Sequence, residues 1–205
     1  MKLQISFDIP SLEKALEISS SIAEYADIIE IGSMLIYNHG TQAIKQFREH
    51  FPEKILLADT KIADHGKEAV ELFANAGADW VTVMSGTSPH VIHAATTAAH
   101  SSNVKVLLDL IDSESLGQSA MEAKNMGADA LLFHQPYSEQ ESLAFLDKWD
   151  MIKGNTALPI FVSAKINREN IDMVISLKPD TIIVHAESVD NISEIEFFKG
   201  LTQKL

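Results

Sequence analysis

Residues 55–64 read Ile55-Leu56-Leu57-Ala58-Asp59-Thr60-Lys61-Ile62-Ala63-Asp64, an apolar run that passes directly into charged residues. The apolar part predicts a buried β-strand. Side chains two apart in an extended chain point the same way, so Asp59 and Lys61 should project side by side just past the strand's end. Charged groups here are costly to desolvate unless they serve each other or a ligand. The stretch is therefore either an Asp–Lys pair at the rim of a sheet or part of a binding site.

Apolar runs of this kind recur along the chain at a spacing of about 25 residues, and amphipathic stretches with helical periodicity separate them. Eight strands alternating with eight helices predict one (β/α)₈ TIM barrel domain over residues 1–205. The alternative is an open doubly wound sheet, but neither of its usual phosphate motifs, G-x-G-x-x-G or G-x-x-x-x-G-K-[ST], occurs. The predicted strands begin near Leu3, Ile28, Lys54, Trp80, Lys105, Ala130, Pro159 and Thr181. The predicted helices span Ser11–Glu24, His39–His50, Gly66–Ala76, Pro89–His100, Ser115–Met126, roughly Gln140–Ile152, Arg168–Leu177 and Ile192–Lys204.

An aspartate precedes each even-numbered predicted strand, at Asp27, Asp79, Asp129 and Asp180. Two of the four follow the dipeptide Gly-Ala, in which glycine suits the C-terminus of a helix, and aspartate suits a short turn into a strand. These positions lie at the N-terminal ends of the strands, where a TIM barrel keeps its stabilising features. We therefore assign structural roles to the four aspartates.

Composition restricts the class of protein. The 205 residues are 46% hydrophobic and 22% charged, which is ordinary for a globular protein with a core. A net charge of −13, from 16 Lys and Arg against 29 Asp and Glu, argues against nonspecific binding to nucleic acid or anionic membranes. The chain has no cysteine, which excludes thiolate metal sites and cysteine nucleophiles. Because the sequence shows neither a signal peptide nor a membrane-spanning run, we expect a cytoplasmic protein.

Ionisable side chains gather at the C-terminal ends of the predicted strands. In a barrel these ends converge on one mouth, so we expect one shared pocket and an enzyme rather than a scaffold. Several acids around one lysine favour Mg²⁺, with Glu30 and Asp59 as its ligands. Asp109 at the end of strand 5 is interpreted as a cap of the next helix. The converging residues are Asp8, Glu30, Asp59, Asp109, His134, Ser163, Lys165 and His185.

A metal ion at this mouth could hold two vicinal oxygens of a sugar and stabilise an enediolate. Lys61 would add a second positive charge where negative charge develops. Asp8, Asp64 and His134 are then available for orientation and proton transfer. Two alternatives stay open: a Glu30–Lys61 ion pair without metal, and a His134 that merely ends its strand.

Four segments carry a resemblance to a known family: Leu3-Gln4-Ile5-Ser6-Phe7-Asp8, Asp27-Ile28-Ile29-Glu30-Ile31-Gly32, Ala58-Asp59-Thr60-Lys61-Ile62-Ala63-Asp64 and Gly77-Ala78-Asp79-Trp80-Val81-Thr82-Val83. Together they resemble 3-hexulose-6-phosphate synthase and the related 3-keto-L-gulonate-6-phosphate decarboxylase, two orotidine-monophosphate-decarboxylase-like barrels. The resemblance implies a lyase that uses Mg²⁺ and passes through the enediolate of a sugar phosphate. The synthase joins formaldehyde to ribulose 5-phosphate, whereas the decarboxylase removes CO₂ and protonates the same kind of intermediate.

The resemblance also implies roles for individual residues. Glu30 and Asp59 match the metal positions of the family, and Lys61 matches its enediolate-stabilising lysine. Asp8 matches an acid that contacts substrate. The histidine that follows strand 6 in the family matches His134. The acid that the family donates across a homodimer interface into the neighbouring site matches Asp64.

The last two strands are followed by turns that depart from the family pattern. The family presents glycine N–H groups to the substrate phosphate there, because glycine lets the backbone approach an anion closely. This chain instead has Ala164-Lys165 after strand 7 and His185-Ala186-Glu187 after strand 8. We expect Ser163, Lys165 and His185 to bind substrate in place of the glycines, and ribulose 5-phosphate to bind weakly with Lys165 as the main cation. The alternative is a catalytically idle homologue or one whose ligand is not a phosphate.

Overall fold

The computed structural model describes residues 1–135, 142–188 and 192–203. All eight predicted strands are present, and each begins within one residue of its predicted start. Each strand pairs in parallel with the next, and β8 pairs with β1, so the sheet closes into a barrel. The fold is the predicted (β/α)₈ TIM barrel. The strands are β1 (Lys2–Phe7), β2 (Ile28–Ile31), β3 (Ile55–Ile62), β4 (Trp80–Met84), β5 (Lys105–Asp109), β6 (Ala130–His134), β7 (Ile160–Ser163) and β8 (Thr181–His185).

Helices follow every strand, and the described residues contain one α-helix more than the sequence analysis predicts. The helix predicted over His39–His50 is present as α3 (Thr41–His50), whereas α2 (Ser33–His39) was not predicted; Gly40, at a φ of +56°, separates the two. The predicted limits Gln140 and Lys204 lie outside the described residues. The helices are α1 (Leu12–Ile22), α2 (Ser33–His39), α3 (Thr41–His50), α4 (Gly66–Ala74), α5 (Pro89–Ser101), α6 (Leu116–Ala123), α7 (Ser142–Lys153), α8 (Ile171–Ser176) and α9 (Ile192–Thr202). No described helix combines the length and the apolar content needed to cross a bilayer.

The alternation of side chains along each strand separates two apolar regions. On β1, Leu3, Ile5 and Phe7 belong to the large core between barrel and helices, whereas the intervening Gln4 and Ser6 line the interior. A smaller apolar cluster packs inside the barrel, below the C-terminal ends of the strands. Its members are Ile28, Leu57, Leu107, Ala130, Leu132, Phe161 and Ile183.

The four aspartates before the even-numbered strands have the predicted structural role. Each side-chain Oδ2 accepts a backbone N–H near the start of the preceding odd-numbered strand, at 2.7–2.8 Å. Each aspartate also donates its own N–H to the carbonyl of that same residue. This two-way bond closes the N-terminal end of the barrel with fourfold regularity. The pairs are Asp27 with Leu3, Asp79 with Leu56, Asp129 with Val106, and Asp180 with Ile160.

Strand β3 is longer and less regular than predicted. It continues to Ile62 instead of ending before Asp59, so the expectation that Asp59 and Lys61 lie past the strand was wrong. Its register against β4 shifts between Ala58 and Ile62, and Lys61 adopts a left-handed φ of +45°. Asp59 and Lys61 therefore meet through a bulge and not through the alternation of an extended chain.

Candidate active site

A pocket opens inside the C-terminal end of the barrel, above the inner apolar cluster. Side chains from every strand line it, because the C-terminal ends of all eight strands meet there. Seven of the nine predicted site residues are among them: Asp8, Glu30, Asp59, Lys61, His134, Ser163 and His185. The remaining lining residues are Gln4, Ser6, Ser33, Leu57, Thr82, Leu107, Leu132 and Ile183.

The ammonium group of Lys61 lies between two carboxylates. Its Nζ is 3.0 Å from Asp59 Oδ2 and 3.2 Å from Asp109 Oδ2. Burial alone would lower the pKa of Lys61, but the charges and hydrogen bonds of Asp59 and Asp109 raise the pKa above its ordinary value. The amine is therefore a fixed positive charge at neutral pH, directed into the pocket by two acids.

Asp109 is part of this site and does not cap a helix, so that interpretation was wrong. Its carboxylate is fully buried; Oδ1 accepts the N–H of Ile111, and Oδ2 lies 3.2 Å from Nδ1 of His134. The next helix, α6, has Ser115 at its N-cap. Burial alone would raise the pKa of Asp109, but His134 and Lys61 hold the pKa below its ordinary value. Asp109 thus remains ionised and joins Lys61 to His134.

Glu30 reaches the pocket from β2 and is almost fully buried. Its two oxygens accept hydrogen bonds from Gln4 Nε2 at 2.5 Å and from Ser6 Oγ at 2.8 Å. Burial, and then the negative charge of Asp59, raise the pKa of Glu30 to about 7. When Glu30 is ionised, Glu30 and Asp59 carry two negative charges, and the one positive charge of Lys61 is shared with Asp109.

The raised pKa of Glu30 predicts a pH dependence of stability in the metal-free protein. The folded state holds a proton on Glu30 between the unfolded pKa of about 4.5 and the folded pKa of about 7, whereas the unfolded state has lost it. This contribution to stability is therefore full below pH of about 4.5 and is lost as pH rises through about 7. We expect the free energy of unfolding in EDTA to fall by up to about 3 kcal/mol over this range. Urea titrations should show a flatter profile for Glu30→Gln, and an equal slope would contradict the assignment.

Asp8 is positioned at the pocket by the start of α2. Its Oδ1 accepts the N–H of Met34 at 2.7 Å. A Cβ atom at Gly32 would lie 2.5 Å from the same oxygen, so glycine is required for this close approach. Asp8 also lines the pocket, and a carboxylate there is suited to accept a hydrogen bond from a substrate hydroxyl.

Ser163 and His185 are the last residues of two neighbouring strands, β7 and β8. Ser163 is buried at the pocket wall, and its Cα is in register with that of His134. Burial lowers the pKa of His185, although the charge of Asp8 acts in the opposite direction. His185 is therefore neutral near pH 7, where it offers hydrogen bonds rather than a positive charge.

Asp64 and Lys165 do not line the pocket of their own chain. The Asp64 side chain is 81% exposed and accepts the backbone N–H of His65. Lys165 is also exposed, and its carbonyl accepts a hydrogen bond from Asn170 Nδ2 in the loop after β7. Their predicted roles therefore require a ligand, or a second chain, that extends beyond the described pocket.

Three polar residues on the strands of the site were not assigned a role from the sequence. Gln4 and Ser6 hold Glu30, and Thr82 contacts both Asp59 and Lys61. Their one sequence signal is a polar side chain at an inward position of an otherwise apolar strand. Such a signal identifies the barrel interior but not the partner, because the partner depends on the register between strands.

The chain was compared with known proteins. The sequence profile of the Orotidine 5'-phosphate decarboxylase / HUMPS family matches residues 1–157. A 3-hexulose-6-phosphate synthase of Bacillus subtilis (strain 168) is 31% identical over 186 residues, which cover 90% of this chain and 89% of the relative. The crystal structure of 3-hexulose-6-phosphate synthase from Salmonella typhimurium superposes with a TM-score of 0.92 at 29% identity, over 100% of this chain and 99% of the other.

A further solved structure shares the fold at lower identity. The 3-keto-L-gulonate-6-phosphate decarboxylase from Vibrio cholerae O1 biovar El Tor superposes with a TM-score of 0.86 at 23% identity, over 99% of this chain and 97% of the other. The resemblance drawn from the four sequence segments is thereby confirmed. This chain, an enzyme of the carbon–carbon lyase class, belongs to the Orotidine 5'-phosphate decarboxylase / HUMPS family.

Proposed function

We propose that this enzyme joins formaldehyde to ribulose 5-phosphate, the reaction that the resemblance to 3-hexulose-6-phosphate synthase implies. In this reaction a proton leaves C1 of the ketose to give an enediolate. C1 then forms a bond to the carbon of formaldehyde, and the former aldehyde oxygen takes up a proton. The observation that carries the proposal is the Lys61 ammonium, fixed by Asp59 and Asp109 in a pocket that also contains Glu30 and His134.

The donor set at the mouth fits Mg²⁺. Glu30 and Asp59 are both buried carboxylates, and their mutual repulsion contributes to a pKa of about 7 for Glu30. A divalent cation would relieve this repulsion. The buried Oε1 of Gln4 has no hydrogen-bond partner among the described residues. No described group of three or more His, Cys, Asp or Glu side chains forms a metal cage, and Mg²⁺ usually takes one or two carboxylates with water and substrate oxygens.

Glu30 and Asp59 would hold the Mg²⁺ ion, which when bound supplies Lewis-acid stabilisation of negative charge on two vicinal substrate oxygens. Lys61 Nζ donates hydrogen bonds to the same developing charge, and its amine needs no reorganisation because Asp59 and Asp109 already position it. Asp109 accepts the proton on Nδ1 of His134, which leaves the Nε2 lone pair for proton transfer. Asp8, which follows β1, orients a substrate hydroxyl.

A direct assay separates this function from its alternatives. We expect hexulose 6-phosphate to form from formaldehyde and ribulose 5-phosphate when Mg²⁺ is present. We expect no product to form when EDTA removes the metal. Release of CO₂ from 3-keto-L-gulonate 6-phosphate, without the condensation, would assign the decarboxylase function instead. An idle or non-phosphate homologue would show neither reaction, and no thermal shift with Mg²⁺ and a panel of pentulose phosphates.

The position of Lys165 supports a role at the phosphate end of the substrate. It lies two residues past the end of β7, where Ser163 lines the pocket, and carries a charge that the neutral His185 does not supply. Because the side chain is exposed, we expect Lys165→Ala to raise KM for ribulose 5-phosphate by about 5- to 10-fold with kcat unchanged. Lys2→Ala, an exposed lysine at the opposite end of the barrel, is the control. An unchanged KM in Lys165→Ala would mean that other groups hold the phosphate.

We further propose that the enzyme is a homodimer in which Asp64 completes the site of the partner. Asp64 is exposed and lies outside its own pocket, although it follows the strand that carries Lys61. Large apolar side chains are exposed on the helices that precede and follow β3 in the chain, at Met34, Tyr37 and Leu72. An interface over these helices would cover them and bring Asp64 to a second chain.

Mixing two inactive variants tests this shared site. Lys61→Ala and Asp64→Asn should each be nearly inactive alone, but subunit exchange should restore about a quarter of wild-type activity, because each mixed dimer keeps one intact site. Mixing Lys61→Ala with Asp59→Asn is the control and should restore nothing, since Asp59 and Lys61 contact each other within one chain. No recovery in the first mixture would place Asp64 outside the neighbouring site.

A further inference from the structure

We propose that Thr82 is a positioning residue for the reaction: its single hydroxyl holds the Asp59 carboxylate and the Lys61 backbone in their working geometry. The proposal rests on the proposed function for the roles of Asp59 and Lys61. Thr82 lies on β4, is fully buried and lines the pocket. It acts through its neighbours, and no direct contact with substrate is required.

The bulge in β3 removes the ordinary bonds between β3 and β4 at this point. Ala58 pairs with Val81 and Ile62 with Val83, so the residues between them exceed those opposite on β4. Backbone groups inside a buried bulge still need partners. Thr60 and Thr82 supply them with side chains, since the Thr60 hydroxyl donates to the carbonyl of Thr82 at 2.8 Å.

The Thr82 hydroxyl makes two bonds, in opposite directions. Its Oγ1 accepts the backbone N–H of Lys61 at 2.8 Å, and its proton is donated to Asp59 Oδ1, also at 2.8 Å. Accepting the N–H holds Lys61 in the left-handed conformation, with φ of +45°, which a residue with a side chain rarely adopts. Donating the proton fixes the rotation of the Asp59 carboxylate.

One hydroxyl therefore connects the two groups on which the chemistry depends. Asp59 bonds to Lys61 Nζ through its side chain, while the Thr82 hydroxyl links the Asp59 carboxylate to the backbone N–H of Lys61. Without the hydroxyl, the Lys61 N–H would be buried without a partner and the carboxylate would lose one of its donors. Displacement of reacting groups by about 1 Å can cost about 100-fold in rate.

Thr82→Val is the test, because valine keeps the shape of threonine and removes only the hydroxyl. We expect kcat for the condensation to fall by about 10- to 100-fold with KM within about 3-fold. Mg²⁺ affinity by calorimetry should fall about 10-fold, and hydrogen exchange at the Lys61 amide should rise by at least about 10-fold. Thr82→Ser restores the hydroxyl and should recover kcat to within about 3-fold.

The matched control is Thr96→Val, which removes a buried threonine hydroxyl outside the site. Thr96 Oγ1 donates to the carbonyl of Met126, so this variant should have a lower Tm. Its kcat, its Mg²⁺ affinity and the hydrogen-exchange rate of the Lys61 amide should be unchanged. Wild-type kcat in Thr82→Val, or a Thr82→Ser variant as impaired as Thr82→Val, would overturn the proposal. If the wild-type protein lacks the condensation, the proposed function fails separately. Lys61 exchange then decides the role of Thr82, and an unchanged rate in Thr82→Val refutes it.

Discussion

Lys61→Ala is expected to lower kcat and kcat/KM together, by about 100- to 1,000-fold, while KM changes little. The loss falls on kcat because the ammonium meets full negative charge only when the enediolate forms. Asp59 and Asp109 hold the amine before substrate arrives, so the enzyme does not spend substrate-binding energy on placing it. Steady-state kinetics with ribulose 5-phosphate varied at saturating formaldehyde measure both constants.

The same substitution removes the cation from two buried acids. Asp109 has no exposed side-chain surface, and among the described residues His134 would be its remaining side-chain partner. Breaking such a buried pair by removing one member costs about 3 kcal/mol or more, so activity must be measured below the lowered Tm. Lys67→Ala is the control, because Lys67 pairs with Glu71 on the exposed surface of α4 and should change neither stability nor kinetics. A raised KM with kcat intact would show that Lys61 only binds substrate.

Asp59→Asn is expected to abolish Mg²⁺ binding while the barrel stays folded. Asparagine keeps the shape of the side chain and one oxygen, but it removes the charge that attracts a hard cation. The expected loss of affinity is at least about 100-fold, since Glu30 would be the one remaining predicted carboxylate ligand. Isothermal calorimetry of the metal-free protein measures it directly, without reference to activity.

The control for Asp59→Asn lies at the other end of the barrel. Asp129 is also a strand-end aspartate, but it accepts hydrogen bonds from the N–H of Val106 and from His100 Nε2. Asp129→Asn should lower Tm and leave Mg²⁺ affinity unchanged, because its carboxylate only closes the N-terminal end of the sheet. Unchanged Mg²⁺ affinity in Asp59→Asn would remove the metal assignment.

The barrel could be predicted from the sequence because its signals are local and repeated. Strand starts recur at a near-constant spacing, and turn aspartates precede the even-numbered strands at positions such as Asp79 and Asp129. The convergence of Asp8, Asp59 and Lys61 followed from the fold alone, since the C-terminal ends of parallel strands meet at one mouth. Helix α2 was missed: it is seven residues long, and it is separated from the predicted α3 by Gly40 at a φ of +56°.

The sequence by itself determined the fold, the end of the barrel that carries the chemistry, and the acids and lysine found there. Only the tertiary structure decided which of these groups touch. Asp109 bonds to Lys61 and His134, and Thr82 bonds to Asp59, because of the register of neighbouring strands and a bulge in β3. The alternation of residues along a strand predicts the face of the sheet on which a side chain lies. The partner it meets depends on the alignment of a strand that lies tens of residues away, which the packing of the whole barrel sets.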